Sequence, residues 1–490
     1  MLLREPGHLL SRPLPLIIFF TILQLIVVLP SAYLNFDESM WQYIGRNWFR
    51  NGLVPYAGGV DNKSPLIFAV FGLSDKLFGV NYWFPRIVGA LCQSAGIYYV
   101  YKIARHIATE KAALLSTIIY GLSLLWKSTD GASVSFTETY AITCIIISFF
   151  YGLTSQNRRG FFISGLIAGL GFGFRISAFL GIAAIFISSF RRGKNSAIFF
   201  LGGVLSCVAL IAALFLFAGI NLHDFLRYAL TDNFGPGSTT DHNLLWSLVN
   251  FMNEFFYSEL ILFYPFVAAF FFFRKNLNFL TTWLICEFIG LCIIGTFATT
   301  HFKNLLPALS LMSGLSLGYL IENYKVPSKP VIIIVWIVFF PKLLNPFFDL
   351  KRVVTPAADT SAMLCAQPYQ EADDNSKKEL GLWIKSNTNP GEQVFVAGYG
   401  SIVQAYSERQ SPTIYFNVTQ TMTAKKRLFA DLESNKPAMI VIPASQGYHN
   451  NVNSDIRMFI DSLVLKNYSF ERCRYGYQVY RFTNMAQVLK

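Results

Sequence analysis

Charge is what this sequence has least of. Asp, Glu, Lys and Arg make up 14% of its 490 residues, where a soluble chain carries about a quarter. Its 28 acidic residues are outnumbered by 40 basic ones, for a net charge of +12. A basic balance can signal nucleic acid. Here the basic residues cluster in short loops between apolar segments, the pattern that orients a chain in a membrane, and a nucleic-acid partner is excluded on that ground. Metal signatures are also missing. There is no CxxC and no His/Cys ligand pattern. The N-terminal MLLREPGHLLSRP runs into an apolar stretch that has no small-residue cleavage site after it. Residues 13–33 therefore read as a retained first span, not a signal peptide.

What the chain has instead is apolar surface. Hydrophobic residues make up 53%, and 47 residues are Phe. The fold class expected is an α-helical polytopic membrane protein with a C-terminal extracytoplasmic α/β domain. Apolar runs suggest about 11 spans (13 at most): roughly 13–33, 84–101, 112–126, 138–153, 161–174, 176–190, 196–218, 258–273, 278–298, 304–321 and 329–345. With the N-terminus in the cytoplasm, each inner turn carries at least two basic residues. They are Lys102, Arg105 and Lys111; Arg158 and Arg159; Arg191, Arg192 and Lys194; Arg274 and Lys275; Lys325 and Lys329. The C-terminus then lies outside. The count depends on splitting 161–190 at Arg175, which puts that arginine near the outer surface, the cheaper place for it.

The first outer loop, about 34–83, reads as two helices lying in the interface around a polar turn at 51–63. Residues 65–78 are apolar but too short for a bilayer, and Asp75 and Lys76 interrupt their end. From about 346 the chain turns polar. Strand-like runs at 393–399, 439–443 and 476–482 alternate with helix-like stretches at about 375–386, 421–434 and 454–467. Two domains are expected, a transmembrane domain over 1–345 and a periplasmic α/β domain over 346–490. Of the seven cysteines, Cys92, Cys144, Cys207, Cys286 and Cys292 sit in apolar segments as packing residues. Cys365 and Cys473 lie in the polar part, where an oxidising compartment allows them to pair.

On this threading several charged residues gather at the outer face: Asp37, Glu38, Asp61, Lys63, Lys127, Asp130, Glu138, Arg175, Arg227, His301 and Lys303. Each has a plain structural alternative. Asp37 and Glu38 suit the first turn of a helix, where acids complement its dipole; they also suit a general base at the membrane surface. Lys63 can snorkel or can meet a phosphate as a point charge. Glu138 can serve a helix N-terminus, and Asp130 a turn. A lone His such as His301 is usually structural, but Lys303 two residues away suits phosphate binding, and Arg175, an arginine within an apolar run, needs an anionic partner or water.

In this order the motifs resemble a known family. FDES with its Asp-Glu pair after a first span, then YIGRNWFRNGLVPY, then DNKSPL, then FPRIVGAL are similar to the membrane-embedded GT-C glycosyltransferases. Within these the resemblance is to the bacterial relatives of dolichyl-phosphate-mannose protein mannosyltransferases (glycosyltransferase family 39) and of lipid A aminoarabinose transferase. FTETYA with Glu138 and the HFKNLLPALSL segment also look like family landmarks. The resemblance covers most of 13–320 and is strongest over 33–106. One departure is Ser64, which stands where the family's Lys-Pro-Pro-Leu turn has Pro.

The resemblance implies an inverting transfer of a sugar from a polyprenyl-phosphate donor to an acceptor hydroxyl, on the periplasmic side of the bacterial plasma membrane. It implies Asp37 and Glu38 as catalytic carboxylates and Lys63, Arg175, His301 and Lys303 as donor-phosphate contacts. Asp61, Asp130 and Glu138 are the candidates for an acceptor-side or second acid. No cofactor and no metal is expected, and the sequence has no tight Asp-x-Asp pair. The partners expected are the lipid-linked donor, a lipid, protein or glycan acceptor (lipopolysaccharide modification included) and membrane lipids. Two other readings remain at this point. A lipid-linked saccharide flippase would also be polytopic with basic loops, but transporters commonly show internal repeats with broken helices, and none is evident here. A non-catalytic scaffold for the C-terminal domain would leave the first-loop charges unexplained.

Overall fold

The computed structural model describes residues 13–30, 33–126, 133–231, 244–273, 277–295, 297–340, 372–417, 425–445, 448 and 452–483. Asp130, Lys127, Arg274, Lys275 and Cys365 lie outside the described residues. The chain divides into two compact units. The first comprises Met1–Pro30, Pro85–Leu214 and His242–Val353; the second comprises Ser31–Phe84, Phe215–Asp241 and Val354–Lys490. The second unit thus takes in the first outer loop as well as the C-terminal domain.

The first unit is helical. It holds α1 (Leu14–Val28), α4 (Trp83–Ile107) from Pro85 onward, α5 (Glu110–Ser123), α6 (Thr137–Thr154), α7 (Arg158–Phe174), α8 (Phe179–Arg192) and α9 (Lys194–Phe217). It continues with α11 (Leu244–Met252), α12 (Tyr264–Phe273), α13 (Asn278–Ile294), α14 (Leu306–Asn323) and α15 (Ser328–Phe339). A helix therefore stands at every position read as a span. By length and apolarity, α6, α9 and the stretch Thr299–Asn323 suffice to cross a bilayer. The pair Ser247–Tyr257 and Glu259–Phe273, bent by 44°, passes the same test jointly, and α1, α13 and α15 are shorter apolar helices.

Local chemistry sets several of the boundaries. Thr109 caps α5 through the Ala112 N–H, and Asn157 caps α7 through the Gly160 N–H. Between helices, small residues allow close approach. A Cβ placed on Gly314 of α14 would lie 2.1 Å from Ser116 Oγ of α5, so this helix pair packs backbone to backbone. Stacked aromatics fill the core, Phe149 on Trp283 at 4.4 Å and Trp126 on Phe339 at 5.4 Å.

The second unit contains α2 (Phe36–Asn51), α3 (Pro65–Phe78), α10 (Leu222–Leu226) and the C-terminal elements. These are α16 (Asp374–Ser386), β1 (Val394–Val396), α17 (Ser401–Ser407), α18 (Lys425–Ser434), β2 (Met439–Pro443), α19 (Ser454–Asn467), β3 (Tyr468–Arg474) and β4 (Tyr477–Phe482). The sheet order is β1-β2-β4-β3, with β1 and β2 parallel and the other pairs antiparallel. Tyr475 and Gly476, both at positive φ, form the two-residue turn between β3 and β4, as a type I′ hairpin requires. Cys473 is disulfide-bonded.

Both helices expected in the first outer loop are present. Their packing is tighter than a pair of helices laid on an interface needs. Every residue of α2 from Glu38 to Asn47 is buried. Gly45 and Gly72 bring α2 and α3 into backbone contact, since a Cβ on Gly45 would sit 2.4 Å from the Gly72 nitrogen. Asp75 near the end of α3 is fully buried. It accepts from Gln42 Nε2 at 2.7 Å and from Arg46 Nε and Nη2 at 3.0 and 2.9 Å, and it is paired with Arg50 at 2.7 Å. A buried carboxylate persists only with such partners. The remaining face of α2 packs on the C-terminal domain. Leu34 N–H donates to the Tyr406 hydroxyl at 2.9 Å, Arg46 Nη1 to the Ala405 carbonyl at 2.8 Å, and Ser411 N–H to the Tyr43 hydroxyl at 2.9 Å. The Tyr43 ring lies 4.3 Å from that of Phe416.

Candidate active site

The candidate residues fall into two groups, one in each unit. In the second unit the site is built around the start of α2. Asn35 is its N-cap: its side-chain oxygen accepts from Glu38 N–H at 2.9 Å, and the Glu38 carboxylate accepts from Asn35 N–H at 3.0 Å. This is a complete capping box, and Glu38 is fully buried in it. Asp37 occupies the same first turn and is half-buried. Adjacent carboxylates so have different environments: one is spent on the helix terminus, and the other is partly open to solvent.

One turn further on, Trp41 ties the loop back to the helix. Its Nε1 donates to Asp61 Oδ2 at 2.9 Å, and the other Asp61 oxygen accepts from Asn62 N–H at 2.7 Å. Asp61 is buried and serves as the anchor of the turn that carries Lys63. The Tyr56 hydroxyl donates to the Lys63 carbonyl at 2.7 Å. Burial, followed by the charge of Asp61, pushes that hydroxyl well above its ordinary pKa, so Tyr56 stays a neutral donor. The Lys63 ammonium, half-buried, donates to Asn62 Oδ1 at 2.6 Å. An ammonium has three donors, so this bond leaves two for other acceptors. The return from α2 through the turn to α3 is therefore a folded hairpin, fastened at Trp41–Asp61 and at Gly45–Gly72.

In the first unit, Glu138 in the first turn of α6 forms an ion pair with Arg175, which directly follows α7. Thr137 Oγ1 also donates to Glu138 at 2.9 Å, and Arg175 Nε donates to Ser177 Oγ at 2.6 Å. The partner that the arginine needed is thus a carboxylate of the chain itself. Arg175 also lines a small cavity with Trp283, Glu287 and Asn304. Glu287, on α13, is buried and accepts from Trp283 Nε1 at 3.2 Å. Sequence reasoning missed Glu287, although a lone carboxylate in the apolar run ICEFIG was the available signal. Lys303 is buried and donates to the Ser133 carbonyl at 3.1 Å. His301 is half-buried on the 3₁₀ turn Thr299–Leu305. Arg227, in the second unit, lies over the Tyr228 ring at 5.3 Å. Among the described residues, no group of three His, Cys, Asp or Glu side chains is placed to hold a metal ion.

Comparison with known proteins adds a family and a fold. Residues 62–217 match the family described as dolichyl-phosphate-mannose-protein mannosyltransferase. A search of curated protein sequences finds no match. Among solved structures, the chain is similar to ArnT from Cupriavidus metallidurans, crystallised bound to undecaprenyl phosphate. The TM-score is 0.62 at 14% identity, over 96% of this chain and 98% of that one. It is also similar to the oligosaccharyltransferase of Archaeoglobus fulgidus. In a complex with zinc and sulfate the TM-score is 0.53 at 11% identity, over 96% of this chain and 73% of that one. The same enzyme, AglB, in complex with an inhibitory peptide and a dolichol-phosphate gives 0.53 at 10% identity, over 97% and 74%. The matched segment and the whole-chain fold agree: residues 62–217 are similar to that mannosyltransferase family, and the chain shares its fold with ArnT and the oligosaccharyltransferase.

Proposed function

We propose that this protein is an inverting glycosyltransferase that moves a sugar from a polyprenyl-phosphate donor to an acceptor hydroxyl at the periplasmic face of a bacterial plasma membrane. The observation that carries the proposal is the likeness over 96% of the chain to a structure holding undecaprenyl phosphate. A lipid donor keeps its tail in the bilayer and its phosphate at the interface. Asp37, half-buried in the first turn of α2, accepts the proton of the acceptor hydroxyl as that oxygen attacks the anomeric carbon. The bond from the anomeric carbon to the phosphate oxygen breaks, and the electron pair leaves with polyprenyl phosphate. One displacement inverts the anomeric configuration. Lys63 supplies the positive charge that stabilises the leaving phosphate. Arg175, His301 and Lys303 are assigned to the same phosphate as candidates to be tested singly. On the acceptor side, Asp61 and Glu138 have structural partners that a role in transfer must share, and Asp130 stands on the resemblance alone.

The test incubates purified protein with a panel of polyprenyl-phosphate sugars and measures released polyprenyl phosphate. The wild type releases it. Asp37→Asn folds normally and loses about 10²–10⁴-fold in rate, the usual contribution of a positioned base. Full activity of Asp37→Asn removes the base assignment. Movement of a labelled donor across vesicles without release of polyprenyl phosphate replaces the reading with a flippase.

A further inference from the structure

We infer that the end of the first unit at which α6 finishes carries a site for the headgroup of an acidic phospholipid, built from Lys102, His106 and Arg192. Two helices bring these residues to the end of a third. Lys102 and His106 follow the span read at 84–101 and stand four positions apart on α4, so they share a face. Arg192 ends α8, and its Nη1 donates to the Gly152 and Leu153 carbonyls of α6 at 2.6 and 2.7 Å. Lys102 Nζ lies over the Phe150 ring of that same turn of α6 at 5.4 Å, and over the Tyr98 ring at 5.6 Å. His106 is near enough to Arg192 to feel its charge: burial first, and then the arginine, lowers the pKa of the imidazole.

The charge of this cluster has no counterpart in the chain. Basic loops are enough to orient a span, and orientation does not require that their cations lack counter-ions. Arg46 and Arg50 meet Asp75, and Arg175 meets Glu138. Arg105, beside His106, meets Glu110 at 3.0 Å, and Glu110 also accepts from the Tyr101 hydroxyl at 2.9 Å. Among the described residues no carboxylate meets Lys102, His106 or Arg192. Arg192 spends Nη1 on the two carbonyls and keeps Nε and Nη2 as donors. Lys102, held over two rings, keeps its ammonium N–H groups. Convergent N–H donors with surplus positive charge fit a phosphate group.

The neighbouring surface selects a lipid as the bearer of that phosphate. α8 approaches Arg192 with Ile187 and Phe190 exposed, and α9 departs with Ile198 and Leu201 exposed. This is apolar surface along which acyl chains lie. Tyrosines stand beside the cations, Tyr99 at 5.4 Å from Tyr98 and 6.3 Å from Tyr151 between ring centroids. Tyrosine is enriched at headgroup level, where its ring is half in the apolar layer. Basic pockets between helices at that level bind the headgroups of acidic lipids.

Native mass spectrometry of the full chain, stripped of lipid in detergent, tests this with no sugar donor present. The probes are phosphatidylglycerol, cardiolipin and phosphatidylcholine with matched acyl chains. The two acidic lipids are expected to bind in preference to phosphatidylcholine. Their affinity falls about fivefold in Lys102→Gln and about fivefold in Arg192→Gln, the usual weight of one cation beside an anionic headgroup. Arg159→Gln, at an exposed arginine in the first turn of α7, changes nothing. Carbon NMR of His106 gives a separate reading: its pKa rises when phosphatidylglycerol binds, and the rise is absent when Lys102→Gln and Arg192→Gln are combined. Equal binding of phosphatidylcholine overturns the inference. So do equal losses from Arg159→Gln and Lys102→Gln, which make the attraction a diffuse field, and displacement of the lipid by millimolar inorganic phosphate. Should Arg192→Gln unfold for want of its bonds to α6, Lys102→Gln, which removes no hydrogen bond, decides alone.

Discussion

Asp37 and Glu38 are neighbours in sequence and have different surroundings, and the difference is measurable. Glu38 closes the capping box with Asn35; Asp37 does not. Glu38→Gln keeps an oxygen that accepts from Asn35 N–H, so its melting temperature stays within a few degrees of wild type. Glu38→Ala loses about 1 kcal/mol, the usual size of a lost cap, read from thermal denaturation in detergent. Transfer by Glu38→Gln stays within a few-fold of wild type, while Asp37→Asn loses about 10²–10⁴-fold. Equal losses from the two variants give both carboxylates a part in the chemistry. Residue types in the sequence could nominate this pair. They could not divide the labour, because the division depends on which carboxylate turns back to the Asn35 backbone. The same holds for Arg175. Its need for an anionic partner was legible, but that the partner is Glu138, 37 positions earlier in the chain, follows from how α6 and α7 pack.

At the scale of elements, α2 and α3 depend on two glycines. A Cβ on Gly45 would fall 2.4 Å from backbone nitrogen of Gly72, and one on Gly72 would fall 2.7 Å from the Gly45 carbonyl. Neither contact can yield by a rotamer change. Gly45→Ala and Gly72→Ala each destabilise by about 1–3 kcal/mol, as overpacking does, and Gly391→Ala, with nothing within 4 Å, serves as the neutral control in the same melting assay. The helices over the span positions were legible because length and hydropathy are local properties. So were α16, α18 and α19, with their amphipathic patterns. β3 escaped notice: only its first residue is fully buried and the rest face outward or half-outward, so YSFERCR shows no alternation. α17 escaped because seven residues buried all round have no periodicity to read. The Trp41–Asp61 tie was beyond reach for another reason. Its distance in sequence is short, but nothing local says that the indole N–H turns toward the carboxylate.

For the whole molecule, the sequence suggested a division at residue 345, between a membrane part and an appended domain. The compact units divide elsewhere, with the first outer loop grouped with the C-terminal residues. A protein truncated after residue 345 therefore loses the partners of Leu34, Tyr43 and Arg46. It inserts into membranes but leaves α2 open to cleavage by trypsin at Arg46 and Arg50, which the full chain protects; equal protection in both removes the prediction. Loop and domain also have a relation in time. The bond between Leu34 and Tyr406 joins residues 372 positions apart. At about 5–20 residues per second of synthesis, α2 emerges roughly 20–70 s before the partner that buries it exists. For that interval a helix whose folded contacts bury arginine, glutamine and tryptophan side chains waits without them. Maturation of this protein is thus timed by its last quarter, and a chaperone that shields the first loop during that wait would set its yield.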